Sequence, residues 1–71
     1  MMSVSEPTKR ALQYVKNTNG GATKAIFIDD YEPVGELLWN SLQSLVREDG
    51  NGRIWLTDDG KKILAESEEN T

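Results

Sequence analysis

The stretch Asp49-Gly50-Asn51-Gly52-Arg53-Ile54-Trp55-Leu56-Thr57-Asp58-Asp59-Gly60 packs a turn, a strand and a helix start into one short run. Asp-Gly-Asn-Gly is a tight turn, because Gly and Asn accept left-handed dihedrals and Asp bonds its own backbone. Arg53 to Thr57 reads as a strand, with Ile54 and Leu56 on one face and Trp55 on the other. Thr57 then caps a final helix whose first turn holds Asp58 and Asp59, where acids meet the positive end of the helix dipole. Ile63 and Leu64 face inward on it, Lys61 and Lys62 lie outside or at its edge, and the end from Glu66 to Thr71 is expected to fray.

Working back toward the N-terminus, residues 33–48 carry the clearest helical pattern. Pro33 suits a first helical position, and Leu38, Leu42, Leu45 and Val46 fall at i, i+4, i+7 and i+8. Val34 and Trp39 flank that stripe, and Asp29-Asp30-Tyr31-Glu32 turns into it. Residues 22–30 admit two readings. Thr23 caps a short helix carrying Ile26 and Phe27 inward, or Ala25-Ile26-Phe27-Ile28 forms a short strand. A first helix opens at Ser5-Glu6-Pro7, buries Ala11, Leu12 and Val15 with Tyr14 beside them, and stops at Asn17-Thr18-Asn19-Gly20-Gly21.

With 71 residues, the chain is read as one domain over 1–71, ordered over about 6–66, with frayed ends at 1–4 and 67–71. A domain this small buries only about 60% of its unfolded surface. It contains no cysteine, which removes disulfides and cysteine metal sites, and no histidine, which removes the commonest general base. No glycine-rich phosphate loop and no catalytic constellation stands out, so the expectation is a non-enzyme with no cofactor, no metal and no small-molecule substrate. The pairs Asp29-Asp30 and Asp58-Asp59 lack calcium-loop spacing and read as turn and cap residues. No run is apolar enough for a signal peptide or a membrane span, which predicts a cytoplasmic protein.

The order helix, glycine turn, short element, long helix, strand and final helix resembles the winged helix-turn-helix domains of bacterial and archaeal transcription regulators. Three stretches carry the likeness over about residues 8–65. Gly21-Ala22-Thr23 is similar to the lead into the family's second helix. Leu42-Gln43-Ser44-Leu45-Val46-Arg47-Glu48-Asp49-Gly50 is similar to the end of its recognition helix. Ile54-Trp55-Leu56-Thr57-Asp58-Asp59-Gly60 is similar to its wing-closing strand and last helix. The resemblance implies an α+β fold, mainly α: a three-helix core, a wing and a C-terminal helix. Only residues 47–52 separate the long helix's last apolar residue from the closing strand, so the wing is expected to be cut to a short turn.

The resemblance implies duplex DNA as partner, read by the helix at 33–48. Helical rotation sets Glu36, Asn40, Gln43 and Arg47 opposite the apolar stripe, with Leu37, Ser41 and Ser44 at its sides. Asn and Gln suit adenine, Arg suits guanine, and Ser suits a phosphate or base. The candidate DNA contacts are therefore Asn40, Gln43, Ser44 and Arg47, with Lys24 and Arg53 on phosphates. An ordinary solvated helix face would carry the same polar residues.

A second reading is a protein-interaction module, as a homodimer or an assembly subunit, using Trp55, Leu37 and Trp39. The net charge of −4 favours it. Setting aside Glu66, Glu68 and Glu69 leaves nine acidic residues against eight basic ones, so the rest of the chain is near neutral.

Overall fold

The computed structural model describes residues 5–69; of the frayed ends expected at 1–4 and 67–71, residues 1–4 and 70–71 lie outside the described residues. Helix α1 (Glu6–Thr18) starts where Ser5 accepts from the Thr8 N–H and ends at Asn19, which is left-handed at φ 47°. It buries Ala11, Leu12 and Val15. Helix α2 (Lys24–Asp30) resolves the ambiguity at residues 22–30 in favour of a helix. The Thr23 hydroxyl accepts from the Ile26 N–H at 3.2 Å, supplying the cap that a strand would not use. Phe27 is fully buried, but Ile26 is 48% exposed, which corrects the expectation that both turn inward. One residue earlier lies ~100° away around the helix, outside the contact that Phe27 makes.

Helix α3 (Gly35–Ser41) is where sequence and structure part. The helix expected over 33–48 spans only these residues. Pro33 sits in the preceding turn, and Leu42 to Leu45 form a turn leading out of α3. Strand β1 (Val46–Glu48) then pairs antiparallel with β2 (Ile54–Leu56), in the register Val46↔Leu56, Arg47↔Trp55 and Glu48↔Ile54. Thr57 explains the break. Its hydroxyl donates to the Ser44 carbonyl at 2.8 Å and its N–H donates to the Leu45 carbonyl at 3.0 Å. In a continuing helix those carbonyls would accept from residues 48 and 49. Leu42 and Val46 are buried either way, so the apolar stripe fits both conformations.

The expected stub of a wing is likewise corrected. Residues assigned to the end of the long helix supply β1, and the result is a paired hairpin. Beside β2, Thr23 forms an isolated bridge with Arg53, the Ile54 N–H donates to Ala22 O, and the Lys24 N–H donates to Gly52 O. The hairpin is thereby stitched to the start of α2.

Helix α4 (Asp58–Glu69) runs past the point where fraying was expected to begin. Thr57 caps it by accepting from the Gly60 N–H at 3.1 Å. Gly60 itself is buried against the Leu45 carbonyl, and a Cβ there would collide with that oxygen. The helix packs on α1 and β2. Phe27, Leu12, Leu42, Ile54, Leu64 and Val15 are the largest fully buried side chains. Burying each contributes about 1.5–3 kcal/mol. Phe27 lies at the centre of an aromatic group, with Tyr14, Tyr31 and Trp39 at 4.9–5.8 Å between ring centroids.

Candidate functional site

The expected reading face is divided by the break after α3. Asn40 is exposed on α3, and Gln43 and Ser44 are exposed in the turn that follows. Gln43 Nε2 donates to Asn40 Oδ1 at 3.4 Å, so these two amides remain together. Arg47 leaves them, because the row that would join it to Asn40 and Gln43 requires a helix that has already ended. It lies on β1 opposite Trp55, with its guanidinium carbon 5.9 Å from the indole centroid.

The stitch between α2 and the hairpin brings the backbones of Lys24 and Arg53 close, while their charged heads point to different neighbours. The Lys24 ammonium stands 5.5 Å from the Trp39 ring centroid, which places it at the edge of α3. Helical rotation sets Asn40 ~100° from Trp39 on that helix. Arg53 Nη1 donates to the Gly20 carbonyl at 3.3 Å.

The three apolar interface candidates separate. Leu37 is 72% exposed on the outer side of α3. Trp39 is only 8% exposed and packs edge-on to Phe27 beneath Lys24, so it belongs to the core and offers little to a partner. Trp55 is half-buried. Its indole N–H donates to Asp49 Oδ2 at 2.9 Å. Asp49 Oδ1 also accepts from the Asn51 and Arg53 N–H groups, closing the hairpin loop. These donors, the indole foremost, hold the Asp49 carboxyl below its ordinary value. Gly20, at φ +81°, lies against the Trp55 ring, where any Cβ would clash. The ring is thus held at its nitrogen by Asp49 and at its six-membered part by Gly20.

A cleft of about 300 Å³ opens beside that ring. Val15, Lys16 and Asn19 of the α1 end, Arg47, Trp55 and Leu56 of the hairpin, and Lys61, Leu64 and Ala65 of α4 line it. Sequence reasoning missed this site. Its residues come from three separated segments, and no local pattern marks their convergence.

The described residues define a small α+β domain of four helices and one two-stranded antiparallel sheet. No family model matches the chain, and no curated protein or solved structure does either. Among the described residues, no helix is long and apolar enough to cross a membrane.

Proposed function

We propose that the chain is a winged helix-turn-helix module that binds duplex DNA, as a transcription regulator does. The supporting observation is the stitch of the hairpin to α2, through the Thr23↔Arg53 bridge and the Lys24-to-Gly52 hydrogen bond. It brings the backbones of Lys24 and Arg53 to the junction of a helix start and a hairpin, near α3 with Asn40 and the following turn with Gln43. Lys24 and Arg53 serve the phosphates in this reading, and Asn40 and Gln43 the base edges. Arg47 drops out of the reading row, since it lies on β1 beside Trp55. With a net charge of −4, non-specific affinity is weak and steeply salt-dependent.

The test is titration of labelled duplexes over a range of salt concentrations. Lys24→Ala and Arg53→Ala each lower the salt slope by about 1, while Asn40→Ala weakens binding selectively on preferred sequences. Absence of binding to mixed-sequence duplexes at low salt sinks the proposal.

A second reading, a protein-interaction module, has its own observation: Leu37 stands 72% exposed on α3. If that reading holds, Leu37→Ser abolishes self-association or partner binding with the fold intact, whereas DNA affinity in the wild type is absent.

A further inference from the structure

The cleft beside Trp55 has a charge pattern opposite to that of the whole molecule. Among the described residues, its lining includes Lys16, Arg47 and Lys61 and no carboxylate, in a chain of net charge −4. Its floor is apolar and aromatic, built from Val15, Trp55, Leu56, Leu64 and Ala65. The indole forming one wall is fixed before any ligand arrives, by its bond to Asp49 and its contact with Gly20. Three carbonyls at and just beyond the end of α1 already accept hydrogen bonds, which lowers their repulsion of an anion. Val15 O accepts from the Asn19 N–H and the Thr18 hydroxyl, Thr18 O from the Gly21 N–H, and Gly20 O from Arg53.

We propose that this cleft binds a small organic acid with a flat apolar ring system. The ring lies against Trp55 and the aliphatic floor, and the acid group meets Arg47 and Lys61 at the rim. A volume of about 300 Å³ is at the lower end for small-molecule pockets and suits a one- or two-ring acid. An aromatic wall, an aliphatic floor and a few charged groups at the edge are the usual make-up of such sites. A guanidinium is well shaped to pair a carboxylate with two parallel bonds. Because the cleft joins α1, the hairpin and α4, a bound acid ties together three parts of the chain. The site stands independently of the DNA reading.

The test uses 2-naphthoate, its uncharged counterpart 2-naphthamide, and acetate. The full chain is observed through the indole N–H signals of Trp39 and Trp55. Naphthoate moves the Trp55 signal saturably and leaves Trp39 in place, while naphthamide binds about tenfold more weakly, and acetate leaves both signals unmoved. Lys61→Gln and Arg47→Gln each weaken naphthoate binding by about tenfold. Lys61 is exposed on α4, so its variant keeps the test valid if the Arg47 variant disturbs the hairpin. Four results overturn the proposal: no saturable shift, equal binding of acid and amide, joint movement of both indoles, or a Trp55 signal that shifts with protein concentration alone. The last would mean that a second copy occupies the cleft.

Discussion

Tyr14 shows how one side chain ties acid–base chemistry to stability. Its hydroxyl donates to Asp30 at 2.7 Å, joining α1 to α2. Burial, together with that hydrogen bond and the Asp30 charge, pushes the phenol up from 10.0 to about 12. The neutral phenol is therefore favoured by folding. Its contribution is complete below pH 10 and is lost as the pH rises through 12. Urea midpoints measured across that range should fall, and Tyr14→Phe should flatten part of the fall. Tyr31, also raised by burial, contributes in the same direction. At Gly60 the constraint is steric. The Cβ of Gly60→Ala meets the Leu45 carbonyl, and either the backbone or α4 must shift. A loss of about 1–3 kcal/mol in denaturant unfolding is expected, as for other overpacked sites.

Among the elements, Thr57 matters most. It caps α4 and holds the Ser44 and Leu45 carbonyls, so it starts one helix and fixes the turn in which another has ended. Thr57→Val removes the side-chain bonds and keeps the shape. It should cost about 1–3 kcal/mol in thermal or chemical unfolding, since a cap and a second hydrogen bond are lost together.

This residue also explains which elements were legible. The starts of α1 and α4, the stop at Asn19 and the strand at residues 54–56 follow from caps, turns and alternation close in sequence. The end of α3 did not, because Leu38, Leu42, Leu45 and Val46 satisfy a helical stripe completely. What decides against it is Thr57, a dozen residues further on, and a β2 that needs an antiparallel partner. Once β1 is misread as helix, the hairpin vanishes and Arg47 is assigned to the wrong surface. In the candidate site, the stitch of α2 to the hairpin and the cleft beside Trp55 likewise depend on contacts between segments distant in sequence.

At the scale of the molecule, the radius of gyration of 11.4 Å is close to the value of about 11 Å expected for a folded domain this long. The core is assembled from both ends of the chain. Helix α1 packs mainly on β2 and α4, whereas α2 and α3 pack on each other. A fragment ending at Gly52 lacks Ile54, Leu56 and Leu64, three buried members of that core. Circular dichroism and amide exchange on such a fragment should show no stable tertiary structure, with α1 at most partly helical.

The packing of α1 on the last elements has a consequence for how the protein is made. As the ribosome extrudes the chain from its N-terminus, Leu12 and Val15 emerge first and wait for their partners near Leu64. An exit tunnel still holding the final turns keeps the domain open. Folding therefore waits until α4 has cleared the tunnel, and a nascent chain stalled before α4 is complete should remain open to chaperones and proteases.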